Sequence, residues 1–200
     1  MPDGEQVMRY LILGAGALGG YFGGRLLKGG ADVTFLVRPG RAAQLARDGL
    51  VVTAQDGEIR TGVKTLLKGE IERPYDVVLL ACKAYDLDGA IDAIAPAMGD
   101  QSAVLPLLNG VGHIAALGER FGEGRVVGGL TFINAALAAD GSIKHSALKV
   151  NITAICDLDR RISPRCTRSW KPRTSSPRCG LTGPASATSG CRRISTTRTP

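Results

Sequence analysis

Two hundred residues, 44% hydrophobic and 22% charged, describe an ordinary globular chain with ample material for a core. The net charge of +7 misleads as an average, because Arg160 to Pro200 holds nine Arg, one Lys and no acid, which leaves −3 on the first 159 residues. That balance argues against nucleic acid as a partner of the globular part, and no apolar run approaches the roughly 18 residues of a membrane span.

The elements follow in chain order. Arg9 to Leu13 is a short, nearly continuous apolar run ending in glycine, which suits a strand buried on both faces. Ala17 to Lys28 reads as a helix with Leu18, Phe22 and Leu26 at four-residue spacing. Its Gly19, Gly20, Gly23 and Gly24 each weaken an isolated helix by up to about 1 kcal/mol relative to Ala, so this surface is expected to lie close to a sheet or a ligand. Asp32 to Val37 is a second strand, closed by Arg38-Pro39-Gly40, and Arg41 to Asp48 a short helix. Leu50–Ala54 and Glu58–Val63 flank Gln55-Asp56-Gly57 as a hairpin. Tyr75 to Ala81 is another buried strand; Leu87, Ile91, Ile94 and Met98 predict an amphipathic helix that Gly99 ends. A strand over Ser102–Leu108, a helix over Ile114–Phe121, a strand over Arg125–Phe132 and one or two strands within Ser142–Ile155 complete the series. The fold class is α/β, a Rossmann-type doubly wound, mostly parallel sheet.

Around Asp159 this pattern stops. Residues 1–158 are expected to form the nucleotide-binding domain, and 159–200 a basic tail rich in Ser, Thr, Arg and Pro. Only Trp170, Leu181 and Ile194 are large apolar residues from Cys166 on, too few to offset a chain entropy of roughly 1–2 kcal/mol per residue, so the tail is expected to be disordered. Its abrupt onset and its composition favour an out-of-frame remnant over a natural basic tail. The five Cys have no metal-ligand spacing, and Cys82 and Cys156 read as small buried hydrophobes. No metal is expected. Met1 to Val7 contains Asp and Glu and no apolar stretch, so no signal peptide is expected and the cytoplasm is the expected compartment.

Gly14-Ala15-Gly16-Ala17-Leu18-Gly19 is a dinucleotide-binding fingerprint between a buried strand and a helix. Gly14 makes the tight turn, Gly16 lets the backbone approach a pyrophosphate, and Gly19 lets helix and strand touch. The helix N-terminus offers N–H groups and partial positive charge to the phosphates. An NAD site calls for Asp or Glu at the end of the second strand; this chain has Arg38, with Arg41 close behind, and a guanidinium there matches a 2′-phosphate. The expected cofactor is NADPH/NADP. Lys83 and Asn109 follow two further strand ends, where open parallel sheets bind ligands, although each by itself also reads as a solvated lysine and an ordinary Asn-Gly turn. His113 and His145 show no spacing for metal or catalysis.

Taken together, Leu13 to Gly20, Arg38, Cys82-Lys83-Ala84-Tyr85 and Leu108-Asn109-Gly110-Val111-Gly112 resemble the ketopantoate reductase (2-dehydropantoate 2-reductase) family. So do Gly128-Gly129-Leu130-Thr131, Asp140 to His145 and Asp157 to Ser163, and the likeness runs over roughly residues 8 to 165. It implies NADPH-dependent reduction of ketopantoate, a small 2-keto acid, on the route to pantothenate and coenzyme A. Gly14 to Gly19 and Arg38 would hold the cofactor, with Lys83 and Asn109 near the nicotinamide ribose and the reacting carbonyl, so that Asn109 also meets substrate. The family's general acid is a lysine of a helical second domain. No residue here matches it, and Lys171 precedes a proline, so no catalytic residue is assigned and the chain is expected to be inactive by itself. The other readings are a non-catalytic NADP-binding module with a basic tail and a reductase of another 2-keto acid. Oligomeric state is not legible.

Overall fold

In the computed structural model of the chain, residues 7–83, 86–146 and 151–155 are described. The chain divides into two units, Met1–Trp170 and Lys171–Pro200, and every described residue lies in the first. The basic tail, Cys156 and the pair Ala84-Tyr85 lie outside the described residues.

The strands are β1 (Arg9–Leu13), β2 (Asp32–Leu36), β3 (Leu50–Ala54), β4 (Gly57–Thr61), β5 (Lys64–Leu66), β6 (Tyr75–Leu80), β7 (Met98–Pro106), β8 (Gly128–Phe132), β9 (Ala135–Leu137), β10 (Ile143–His145) and β11 (Asn151–Ile155). The helices are α1 (Ala17–Lys28), α2 (Pro39–Asp48), α3 (Leu87–Ile94) and α4 (Gly112–Phe121). Five strands form a parallel sheet in the order β5-β2-β1-β6-β7. From β1 the chain builds outward to β2 and then returns to β6 on β1's other side, which places the topological switch point between β1 and β6.

The near-continuous apolar strands bury both faces, as β1 shows. Tyr10 and Ile12 join one core cluster with Phe22, Phe35, Leu50, Val52, Leu79 and Ile143, while Leu11 joins a second with Val78, Leu80, Ile94 and Leu117. Adjacent side chains point to opposite faces of a strand, so one run of apolar residues feeds both layers.

A second sheet, β4-β3-β10-β9, covers the outer side of α1. This explains four glycines in one helix. A Cβ on Gly23 would run into the Phe35 ring of the main sheet and one on Gly20 into Ile143 of the second, while Gly24 lies against Val52. The helix is squeezed between two sheets, and only glycine lets both approach.

Several boundaries differ from the sequence reading. Pro96 lacks a backbone donor, so α3 stops at Ile94, a 3₁₀ turn takes Ala95–Ala97, and Met98 opens β7 instead of closing a helix. Pro39 at the first turn lets α2 begin two residues early. The hairpin's second strand ends at Thr61, after which the chain crosses to the main sheet and pairs as β5 with β2, Lys64 bonding Asp32 at 2.7 Å. The strand expected from Arg125 starts at Gly128, after a 3₁₀ turn over Glu123–Arg125. The short β9 has no legible period. No helix among the described residues is long and apolar enough to cross a membrane.

Candidate cofactor site

The fingerprint lies at the carboxyl end of β1. Gly14 has φ +90°, a conformation that favours glycine, and its N–H donates to Leu36 O of β2 at 2.9 Å. A Cβ on Gly19 would overlap the Gly14 carbonyl oxygen and come within 3.1 Å of Ala81 Cβ, so the helix, the loop and the residue just past β6 touch only because residue 19 has no side chain. Gly16 is different. It is the N-cap of α1, and a Cβ there would meet nothing within 4 Å. The cap has no side-chain hydrogen bond and the first turn carries no acid. The helix thus presents uncapped N–H groups and its positive end to an open space, and these residues fit a pyrophosphate.

Arg38 sits just past β2 as the N-cap of α2. Its side chain is 87% exposed and its Nη2 lies 3.3 Å from Asp86 Oδ2, itself 44% exposed. Such an exposed pair contributes at most about 1 kcal/mol and yields readily to a bound phosphate. Arg41 goes elsewhere. Its Nε donates to Ala15 O at 3.0 Å, and its Nη1 donates to Gly141 O at 3.0 Å and to Gln44 Oε1 at 2.6 Å. Burial lowers its pKa, although a guanidinium stays charged throughout the physiological range.

Lys83 follows β6, exposed, with its carbonyl accepting from Asp86 N–H at 2.9 Å. Asn109 follows β7 in an exposed turn where Gly110 takes φ +86°. Because the sheet runs β2-β1-β6-β7, Arg38, the glycine loop, Lys83 and Asn109 come in that order along one edge, the carboxyl edge. Cys82 beside them is half-buried, and burial pushes its thiol up. His113, in the first turn of α4, and His145, in β10, are buried, and burial lowers both imidazole pKa values. His145 packs against Tyr21 of α1 with ring centroids 4.8 Å apart. Two residues escaped the sequence reading: Asp86 as the partner of Arg38, and Arg41 as a brace for the loop. Arg41's three-residue offset from Arg38 put it on α2, but nothing in the sequence announced that Gly141 would meet it.

The comparisons with known proteins bear on this edge. The family model described as ketopantoate reductase PanE/ApbA matches residues 10–155. The chain belongs to that family. An uncharacterized oxidoreductase of Bacillus subtilis is 42% identical over 140 residues, covering 70% of this chain and 46% of that protein. A 2-dehydropantoate 2-reductase of Nostoc is 33% identical over 138 residues, 68% of this chain and 43% of its own length. Among solved structures, 2-dehydropantoate 2-reductase from Geobacter metallireducens superposes with a TM-score of 0.67 at 33% identity, covering 74% of this chain and 49% of that one. D-mandelate dehydrogenase, in a ternary structure with NADH, gives 0.68 at 26% identity, 76% of this chain and 50% of that one. The chain therefore spans about half the length of the family members it matches, and they are oxidoreductases.

Proposed function

We propose that this chain is the NADP(H)-binding half of a reductase that converts 2-dehydropantoate to pantoate, a step toward pantothenate and coenzyme A in the cytoplasm. The observation that carries the reading is the uncapped start of α1 beside an exposed Arg38 at the neighbouring strand end. When bound, the nicotinamide supplies the hydride that reduces the ketone of a small 2-keto acid. The amides around Gly16 hold the pyrophosphate, Arg38 accommodates the 2′-phosphate, and Lys83 and Asn109 serve the nicotinamide ribose and the substrate carbonyl. NADPH is preferred over NADH on this reading, because a guanidinium forks onto a phosphate whereas an NAD site uses a carboxylate for the 2′-hydroxyl.

Protonation of the developing alkoxide is assigned to a lysine outside the Rossmann domain. The family match stops at residue 155, and nothing from Cys166 on has the pattern of an amphipathic helix that could carry such a lysine. Lack of a general acid alone forfeits a factor of about 10² to 10⁴. The domain division at 158 and the reading of 159–200 as an out-of-frame remnant belong to the same proposal. Translating the coding DNA in every frame beyond the Arg165 codon tests it: an alternative frame with amphipathic helices bearing a lysine and asparagines supports the remnant. Closed frames throughout make the tail genuine and reduce the claim to a nucleotide-binding module.

A further inference from the structure

We propose that Arg41 is a positioning residue that aims the glycine loop, coupling the second sheet to dinucleotide binding without touching the dinucleotide. The inference rests on the proposed cofactor reading and extends it to a residue that reading does not use.

Arg41 bridges two distant parts of the chain, Ala15 on one side and Gly141, a hundred residues beyond Arg41 itself, on the other. Its Nε holds the Ala15 carbonyl at 3.0 Å and its Nη1 holds the Gly141 carbonyl at 3.0 Å. Gln44, one turn further on α2, reinforces the outer end: its Oε1 accepts from Arg41 at 2.6 Å and its Nε2 donates to Asp140 O at 2.9 Å. Gly141 has φ +82°, and a Cβ there would overlap the Gln44 amide, so the turn before β10 is shaped to lie against this pair. The remaining nitrogen, Nη2, is buried without a hydrogen-bond partner, which denies it a path to a phosphate in solvent.

The consequence lies in one peptide plane. In a trans peptide the carbonyl and the following N–H point in opposite directions, and no described peptide bond is cis. Fixing the Ala15 carbonyl toward Arg41 therefore turns the Gly16 N–H the other way, toward the open space before α1. That N–H donates to no backbone carbonyl among the described residues. The guanidinium also lodges a permanent positive charge against the loop carbonyl of Ala15, of the same sign as the positive end of α1. Arg41 thus contributes to binding both NADPH and NADH equally, because pyrophosphate is common to them. Arg38, by contrast, acts on the 2′-phosphate alone.

The test measures NADPH and NADH dissociation constants for the wild-type chain, Arg41→Ala, Arg41→Lys and Arg38→Ala, together with backbone amide exchange in the absence of nucleotide. Loss of charge-assisted hydrogen bonds on this scale weakens binding roughly tenfold. The expected result is that both Arg41 variants weaken NADPH and NADH by the same factor, while Arg38→Ala weakens NADPH only. Exchange of the Ala15–Leu18 amides and of the Asp140–Ser142 turn should rise together in the nucleotide-free Arg41 variants. If Arg41→Ala weakens NADPH and spares NADH, Arg41 reads the 2′-phosphate and the proposal is wrong. Unchanged affinities with unchanged exchange overturn it as well. A wild-type chain that binds neither nucleotide refutes the cofactor reading instead, and the exchange data then decide the brace alone. Where Arg41→Ala fails to fold, Arg41→Lys carries the same comparison, since an ammonium cannot hold both carbonyls in a fork.

Discussion

At the scale of single residues, the fingerprint glycines do different jobs, and substitution should separate them. Gly19 is a packing glycine, because a Cβ would strike the Gly14 carbonyl. Gly19→Ala should destabilise the fold by about 1–3 kcal/mol, read as a lower midpoint in urea. Gly16 lies at φ −80° with open space around its missing side chain. Gly16→Val should leave stability within roughly 1 kcal/mol and abolish most nucleotide binding. Equal stability losses at the two positions would contradict this division. Arg38→Ala should weaken NADPH about 10- to 100-fold, the worth of charge-assisted hydrogen bonds to a phosphate, and leave NADH within a factor of two or three. The place of Arg38 just past β2 was legible from the sequence, because a strand end depends on local spacing. Arg41 was not. Its partners Ala15 and Gly141 come together only through the second sheet, and no periodic pattern encodes that contact.

At the scale of elements, α1 organises the domain by being thin. Four glycines let the main sheet approach on one face and β3 and β10 on the other. The sequence showed that a close approach was needed, but the covering sheet was hidden, since β9 and β10 are three residues each. The covered side of the helix holds a charged cluster. Arg25 makes a bidentate pair with Asp56 of the β3–β4 turn at 2.5 Å, and the Asp56 carboxylate holds the Arg25 pKa up. Nearby, the His145 ring lies tilted against Tyr21, with its Nε2 buried and unbonded. Burial, and then the Arg25 charge, lower the His145 pKa, and burial lowers that of His113. The folded state thus binds fewer protons than the unfolded chain, whose histidines titrate near 6.5. Stability conferred by the neutral imidazoles is fully present above that pH and is lost as pH falls below it through the depressed folded values. Chemical denaturation should show a declining midpoint below about pH 6.5, and His145→Phe should flatten the decline. A midpoint independent of pH between 7 and 5 would contradict the assignment.

At the scale of the whole molecule, the β-α-β alternation and the both-face burial of β1 and β6 were readable because continuous apolar runs have one stable home, the interior of a parallel sheet. Boundaries were less readable where a proline or a sheet crossover decided them, as at Pro96 and at Gly62-Val63 before β5. The described fold lines up Arg38, the glycine loop, Lys83 and Asn109 along a single sheet edge, with Val111 82% exposed two residues past Asn109. On the proposed reading, the purified 200-residue chain binds NADPH but shows scarcely any ketopantoate-dependent NADPH oxidation. Robust turnover would locate the general acid within these 200 residues and refute that expectation.

The most direct test of the central claim is a calorimetric or fluorescence titration of the wild-type chain with NADPH and, separately, with NADH. Saturable one-site binding of NADPH, at least about tenfold tighter than NADH, is the predicted result. An NADH affinity equal to or above that of NADPH would remove Arg38 from the site, and no saturable binding of either would contradict the account at its root.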